Sequence, residues 1–172
     1  SLRLRRSRKN SWSRRLVSEN NLSPSDFILP IFLIEGKNKT QPIKSMPGVY
    51  RYSINRLGII LDRAIKNDIP MVALFPYTSS KLKNELGSEA LNEDNLVCRA
   101  IKYIKKRYKN KIGIMCDVAL DPYTIHGHDG ILKSNKILND ETIEILIQQS
   151  LLQAQMGLSL IHISEPTRRL NI

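Results

Sequence analysis

Apolar segments and segments with helical spacing alternate along this chain. The predicted strands cover residues 27–35, 71–75 and 112–118, and a helical pattern follows each of them, over residues 55–67, after Asn92 and after Asn139. Strands that are apolar on both faces are typical of parallel sheets covered by helices. The alternation therefore predicts a wound α/β fold, and it leaves open whether the sheet closes into a barrel.

The same pattern predicts where the elements begin and end. Asn92 and Asn139 have the side chains preferred at helix N-caps, and Pro76 is expected to end the second strand. Residues 37–44 and 77–91 are polar or mixed and are predicted to be loops. Apolar residues at helical spacing predict the buried face of the last helix: Ile143, Leu146, Ile147, Leu151 and Ala154.

Charge and cysteine content limit the class of protein. The formal net charge is +11, with basic residues crowded in the first fifteen positions and on the helix after Asn92. Residues 1–26 have no sustained apolar period and are predicted to form an extended arm. The two cysteines, Cys98 and Cys116, have apolar neighbours and are expected to be buried reduced thiols. No apolar run approaches the length of a membrane span, and a cytoplasmic location is expected.

The third predicted strand opens into a loop that concentrates polar side chains. Asp117, Asp121 and Asp129 lie within thirteen residues, together with His126 and His128. The carboxyl ends of parallel strands are where reacting groups collect in α/β folds. This loop is therefore the predicted functional site. No glycine-rich phosphate loop is found in the sequence, which disfavours nucleotide binding.

This loop resembles the porphobilinogen synthase family, also called 5-aminolevulinate dehydratase. Zinc-dependent members carry Asp-Val-Cys-x-Cys and then Tyr-Thr-Ser-His-Gly-His-Cys-Gly, and the cysteine positions here are Ala119, Asp121 and Asp129. The pattern is similar to the aspartate-rich branch of the family, which uses no catalytic zinc. Residues 45–53 and the segment Arg14-Arg15-Leu16-Val17-Ser18-Glu19 also resemble the family.

The resemblance implies a fold and an assembly. The fold is the N-terminal part of a TIM (β/α)8 barrel with an extended N-terminal arm. Residues 1–26 would be an oligomerisation arm that embraces a partner in a homo-octamer, and residues 27–157 would form the first three βα units. The implied reaction condenses two molecules of 5-aminolevulinate into porphobilinogen with loss of water, in heme and other tetrapyrrole biosynthesis.

The resemblance also assigns residues. Asp117 matches an aspartate near the substrate amine, with a catalytic and substrate-binding role, and Asp121 is a second candidate for substrate binding. Asp121 and Asp129 are candidate ligands for a hard cation such as magnesium, and zinc is not expected at positions 119, 121 and 129. His126 and His128 are expected to form structural hydrogen bonds. The two Schiff-base lysines of the family lie on strands beyond the point where this chain departs from it, so neither is expected here. Lys133 and Lys136 are expected to be solvated.

The resemblance ends near Gly157. Residues 158–172 do not follow the family and instead resemble one translated frame of a transposase sequencing-library adapter. The alternative is a native fourth strand, because residues 158–164 are apolar enough to form one. A fragment with this ending is expected to be inactive by itself, and insoluble or molten when expressed alone.

Two other functions compete with the lyase. A basic nucleic-acid-binding protein would use the arm and the lysine-rich helix, but acidic side chains in the loop repel phosphate. An inactive assembly module would dock its arm onto complete subunits. The lyase is preferred because it alone accounts for the aspartate loop, so neither nucleic acid nor membrane is expected as a partner.

Overall fold

The computed structural model describes residues 5–163 of the chain. Its helices are α1 (Arg6–Lys9), α2 (Ser11–Leu16), α3 (Leu57–Lys66), α4 (Leu96–Tyr108) and α5 (Asn139–Gln155). Its strands are β1 (Ile28–Ile34), β2 (Thr40–Pro42), β3 (Tyr50–Tyr52), β4 (Met71–Tyr77), β5 (Gly113–Val118), β6 (Ile131–Lys133), β7 (Lys136–Leu138) and β8 (Leu160–Ile163). Short 3-10 turns cover Pro24–Asp26, Ile54–Arg56, Ser80–Leu82 and Ser88–Leu91.

The larger sheet has the strand order β2-β3-β1-β4-β5-β8, and β1, β4, β5 and β8 are parallel neighbours. Each of these strands is followed along the chain by the next one in the sheet, with α3, α4 or α5 between them. Their carboxyl ends therefore lie along one edge. This order confirms the predicted α/β fold with parallel strands.

The core lies between the sheet and the helices α3 and α4. Alternate strand residues enter it: Ile31, Leu33, Val72, Leu74, Ile114 and Cys116. Leu61 of α3 and Ile104 of α4 are fully buried against them. Each such side chain contributes about 1.5–3 kcal/mol by leaving water. This part of the chain packs as its apolar spacing predicts.

Both cysteines belong to the buried interior and are free thiols, as predicted. Burial raises the pKa of Cys98 to about 11 and also raises that of Cys116. Thiols with raised pKa values are poor nucleophiles at neutral pH. The two cysteines are therefore packing residues.

The predicted end of the second strand at Pro76 is wrong, because β4 continues to Tyr77. Pro76 lies opposite Leu33 of β1, whereas β5 pairs with β4 only as far as Leu74. Beyond Leu74 one side of β4 has no neighbour in β5. A proline without an N–H is tolerated where a strand lacks a partner on one side.

Residues 37–44 are not simply a loop. They contain β2, which pairs antiparallel with β3 across a turn at Gly48, where φ is +81°. β3 then pairs with β1 at Phe32 and Leu33. Strands of three residues are too short to show a period in the sequence, so this prediction was wrong for a physical reason.

Both predicted N-caps are displaced. The cap of α4 is Asn95, whose side-chain oxygen accepts a hydrogen bond from the backbone N–H of Cys98 at 2.8 Å, three residues after the predicted Asn92. Asn139 is the first residue of α5 and Leu138 occupies the cap position. Both asparagines have suitable chemistry, and only the tertiary path of the chain selects between neighbouring candidates.

The predicted buried face of α5 is wrong in its main members. Ile143, Ile147 and Leu151 are 46%, 48% and 59% exposed, and Ala154 is exposed as well. The buried side chains of this helix are Thr142, Gln149, Leu152 and Gln153. A largely polar stripe of the helix faces inward, and within it Gln149 donates to the backbone carbonyl of Ala119 in the loop after β5.

The arm is not fully extended. It contains α1, α2 and the turn Pro24–Asp26, although nearly all of its side chains are exposed. Trp12 and Leu16 are 60% and 77% exposed. Helices this short have little stability of their own, so contacts with other surfaces are needed to hold the arm in place.

The tail contains β8, which pairs in parallel with β5 from Leu160 to Ile163. The chain thus forms a fourth parallel strand, the alternative that the apolar character of residues 158–164 allowed. Pairing does not test the adapter origin of residues 158–172, which stays a prediction, and residues 164–172 lie outside the described part. Between residues 5 and 163, no helix is both long and apolar enough to span a bilayer.

Candidate active site at the carboxyl edge of the sheet

The loop between β5 and β6 lies at the carboxyl edge of the parallel strands. It is joined to the loop after β4 by backbone hydrogen bonds on both sides of Asn84: the Asn84 N–H donates to the Tyr123 carbonyl at 3.3 Å, and the Ile125 N–H donates to the Asn84 carbonyl at 3.1 Å. The Thr124 hydroxyl donates to the His128 carbonyl at 3.0 Å. Tyr123 and Thr124 are buried and shape the loop.

The structure brings the three predicted aspartates together. Asp117 is half-buried near the end of β5, opposite His162 of β8. Asp121 follows at the start of the loop, and Asp129 returns to the same place just before β6. Their charges are close enough to repel one another, as the pKa values of two of them show.

Burial is the largest cause of the raised pKa of Asp121, followed by repulsion from Asp129 and Asp117. Asp121 is exposed to solvent over part of its surface. The ammonium of Lys83 opposes the shift and lowers the pKa of Asp121. Burial likewise raises the pKa of Asp129, while its hydrogen bond from the Leu120 N–H lowers it. Placed together, these carboxyls favour a cationic ligand or a proton.

Lys83 was missed by the sequence analysis, which gave no role to the loop after β4. It lines a cavity of about 450 Å³ beside the aspartates, together with Pro76, Tyr77, Thr78, Ser80, Pro122 and Ile125. Nothing in the local pattern distinguishes Lys83 from the other lysines of this chain. Only the pairing of the two loops reveals its position.

Gln149 was also missed. Its side-chain amide donates to the carbonyl of Ala119 at 3.2 Å, and Gln149 is fully buried. One residue further on, the backbone N–H of Leu120 donates to Oδ1 of Asp129 at 2.6 Å. A glutamine within a helix is ordinary in sequence, so no signal identified it.

The two histidines form hydrogen bonds within the loop. The His128 N–H donates to Nδ1 of His126 at 3.2 Å, and Nε2 of His126 lies 3.4 Å from the Glu85 carbonyl. With Nδ1 accepting, Nε2 carries the proton and donates to Glu85. These contacts agree with the structural role expected for both residues.

The aspartates supply only part of a donor set for a metal ion. Within the described residues, no group of three His, Cys, Asp or Glu side chains could hold one. Asp129 uses Oδ1 on the Leu120 N–H, and Ala119 offers no side-chain ligand. Two carboxylates alone are a weak set for a hard cation.

Lys133 and Lys136 lie at the tip of the β6–β7 hairpin and are exposed. The turn residues Ser134 and Asn135 both have positive φ, 49° and 61°, as in a two-residue hairpin turn. Both lysines are solvated, as expected, although they flank a hairpin turn and not an irregular loop.

Comparisons with known proteins show the family of the chain. A sequence model of the family "Delta-aminolevulinic acid dehydratase" matches residues 1–167. Delta-aminolevulinic acid dehydratase of Bradyrhizobium diazoefficiens is 52% identical over 160 residues, covering 93% of this chain and 45% of that protein. The enzyme of the same name from Chlamydia pneumoniae is 39% identical over 161 residues, covering 94% of this chain and 48% of that protein.

A solved structure is also similar. It is delta-aminolevulinic acid dehydratase (porphobilinogen synthase) from Toxoplasma gondii in complex with the reaction product porphobilinogen, with a TM-score of 0.86 and 37% identity. The match covers 95% of this chain and 47% of that one, so the chain spans about half the length of the relatives it matches. The predicted N-terminal part of a TIM barrel is confirmed. The chain belongs to the delta-aminolevulinic acid dehydratase family.

Proposed function

We propose that this chain supplies the aspartate-bearing wall of the active site of a porphobilinogen synthase. The reaction joins two molecules of 5-aminolevulinate into porphobilinogen with loss of water. The observation that carries the proposal is the gathering of Asp117, Asp121 and Asp129 at the carboxyl edge of the parallel strands. The Toxoplasma relative has the same fold and holds porphobilinogen, which supports the same reaction here.

The cluster suits a substrate that carries an ammonium group. Carboxylates that repel one another gain free energy when a cation enters between them. An aliphatic amine such as that of 5-aminolevulinate is protonated at neutral pH. We therefore assign Asp117 and Asp121 to binding this ammonium, with Asp117, held near the strand end, orienting it.

Ring formation also needs a proton acceptor close to the substrate. A carboxylate whose pKa is raised is a stronger base than an ordinary aspartate, and Asp121 meets that condition. Schiff-base formation, which the family resemblance implies, is assigned to no lysine of this chain. Lys133 and Lys136 are exposed at the turn of the β6–β7 hairpin, which is not part of the larger sheet.

The test is Asp117→Asn in the full-length gene product. Removing the charge while keeping the shape should lower kcat/KM by roughly a hundredfold, as expected for a group that both orients substrate and carries charge at the reacting centre. Formation of porphobilinogen from 5-aminolevulinate is measured by a colorimetric pyrrole assay. Asp68→Asn is the matched control, because Asp68 is an exposed turn residue with φ +56° that asparagine also adopts. Equal activity of the two variants would refute the assignment.

Magnesium binding by Asp121 and Asp129 stays a prediction. Calorimetric titration of Mg²⁺ into the wild type and Asp121→Asn checks it. Heat that is lost in the variant would support the site, and equal heat in both would exclude Asp121 as a ligand.

We also propose that the arm contacts a second copy of the protein. Trp12, Leu16 and Leu22 are largely exposed, which is costly unless another surface covers them. In the full-length protein, Trp12→Ala combined with Leu16→Ala should reduce the assembly size measured by light scattering. Ile59→Ala, an exposed apolar residue on α3, is the control.

A further inference from the structure

The peptide bond between Ala119 and Leu120 is held from two sides. Its carbonyl accepts from Nε2 of Gln149 at 3.2 Å, and its N–H donates to Oδ1 of Asp129 at 2.6 Å. In a trans peptide these two groups point in opposite directions, and the described chain has no cis bonds. The peptide plane cannot turn without stretching both hydrogen bonds. We call this arrangement of Gln149, Asp129 and the 119–120 peptide the peptide clamp.

The peptide clamp lies between two candidate catalytic residues. Asp117 is two residues before Ala119, and Asp121 is the residue after Leu120. Ala119, Leu120 and Gln149 are all buried, so water cannot replace a broken hydrogen bond without entering the interior. Rotation of this peptide would move the backbone from which Asp121 projects.

Both arms of the peptide clamp are anchored by α5. Leu146 on this helix packs against the buried cluster that contains Leu120 and Tyr123, which fixes the helix against the loop. At the start of α5, the Thr142 hydroxyl accepts from the Ile131 N–H at 2.9 Å and donates to the Leu138 carbonyl at 2.6 Å. Ile131 is two residues after Asp129. The helix α5 therefore positions the Gln149 amide that donates to the Ala119 carbonyl. Through its contact with the β6–β7 hairpin, it also positions the Asp129 carboxylate that accepts from the Leu120 N–H.

We propose that Gln149 is a positioning residue that, through the peptide clamp, fixes where Asp121 stands relative to Asp117. The expected effect on catalysis rests on the proposed function. The hydrogen bonds of the peptide clamp do not depend on that function. Gln149 touches no reacting atom and acts only through the 119–120 peptide.

Gln153 provides a matched control on the same helix. It is one turn further along, is 2% exposed, and faces inward as Gln149 does. The side-chain oxygens of both glutamines have no hydrogen-bond partner within the described part of the chain, so the two residues differ in the amide contact that Gln149 makes with the Ala119 carbonyl. Methionine has nearly the shape of glutamine and lacks the amide, so Gln149→Met and Gln153→Met make equal changes in volume and differ only in the contact removed.

The experiment measures steady-state kinetics and amide hydrogen exchange in the full-length protein. We expect Gln149→Met to lower kcat about tenfold or more with KM changed less than about threefold, because substrate still binds but the acid–base geometry is lost. The Leu120 amide should exchange about tenfold faster, since its hydrogen bond to Asp129 loosens when the opposite side of the peptide is released. Gln153→Met should leave kcat and Leu120 exchange unchanged.

Several outcomes would overturn the proposal. Wild-type kcat in Gln149→Met would do so, as would an equal loss in both variants, or Leu120 exchange that does not respond. If Gln149→Met fails to fold, Gln149→Glu keeps the length and loses the donated hydrogen bond when ionised, and it must show the same faster exchange. If the wild type forms no porphobilinogen, the proposed function fails, while Leu120 exchange still decides whether the peptide clamp exists.

Discussion

The helices α3 and α4 and the helix α5 cover neighbouring parts of one sheet, but they use opposite chemistry. The first two bury aliphatic side chains such as Leu61 and Ile104 and turn charged residues to solvent. The helix α5 buries Gln149 and Gln153 and turns Ile147 outward. Apolar burial therefore holds the first part of the sheet together, whereas α5 binds the loop that carries the aspartates through Gln149.

The largest effect on the free energy of unfolding should come from truncating a buried apolar side chain of α4. Ile104→Ala on α4 removes a fully buried side chain and leaves a cavity, which should lower the free energy of unfolding by about 2–5 kcal/mol. Ile147→Ala on α5 removes an exposed one and should change it by less than about 0.5 kcal/mol. Urea unfolding measures both. Similar losses of unfolding free energy in the two variants would mean that Ile147 is buried in solution as Ile104 is.

The second-largest effect on the free energy of unfolding is expected from the buried glutamines of α5. Gln149→Met leaves the buried Ala119 carbonyl without its donor and should cost about 1–3 kcal/mol of unfolding free energy. Both substitutions remove a buried oxygen that has no partner among the described residues, and Gln153→Met, which leaves the Ala119 carbonyl paired, should be neutral or stabilising. Thermal unfolding of the two variants at equal pH separates them. A reversed order would break the assignment of α5 as a loop-binding helix.

A smaller effect is expected at the end of α4. Lys109 has φ 52° and ψ −116°, a conformation that costs a residue with a Cβ atom and is open to glycine. Lys109→Gly should raise the unfolding free energy by about 1 kcal/mol. Lys111→Gly, at a position not in the left-handed region, should be neutral or destabilising. No gain at Lys109 would show that this region tolerates backbone strain better than we infer.

The smallest effect concerns pH. The pKa of Asp121 is raised in the folded chain, so the folded state binds this proton more tightly than the unfolded state does. The group therefore costs stability as the pH rises above the ordinary aspartate value of 3.8, and the cost is absent at lower pH. Asp121→Asn should gain stability over the wild type at pH 7 and lose that advantage near pH 3. Thermal unfolding of wild type and Asp121→Asn across this pH range measures the difference, and an advantage of the variant that does not depend on pH would contradict it.

The sequence predicted the long elements well because each carried a sustained apolar pattern. The segments that became β1, β4 and β5 are continuous apolar runs, and the face of α3 that includes Leu61 follows helical spacing. The barrel itself came from the resemblance of the aspartate loop, since alternating strands and helices allow an open sheet equally well. The pair β2 and β3 was missed because three residues cannot display a period.

The candidate site was predicted in its charges but not in its supports. The sequence places three aspartates in a loop directly after an apolar strand, and this pattern predicted the site: Asp117, Asp121 and Asp129. Gln149 is identified only by the hydrogen bond that its side chain donates to the Ala119 carbonyl. The face of α5 was misread for a related reason. Apolar spacing predicts that a surface avoids water, and it does not tell which of several neighbours will cover that surface. The catalytic roles of Asp117 and Asp121 stay predictions.

The outward side of α5 has a consequence for how variation in this protein will be interpreted. Three apolar side chains on this side are about half exposed: Ile143, Ile147 and Leu151. Substitutions at these positions should therefore change the unfolding free energy of a single chain very little. Their effect should instead grow with protein concentration, as self-association gained or lost. A survey of variants scored only by melting temperature would rank these three positions as dispensable, and a survey scored by colloidal behaviour would rank them near the top.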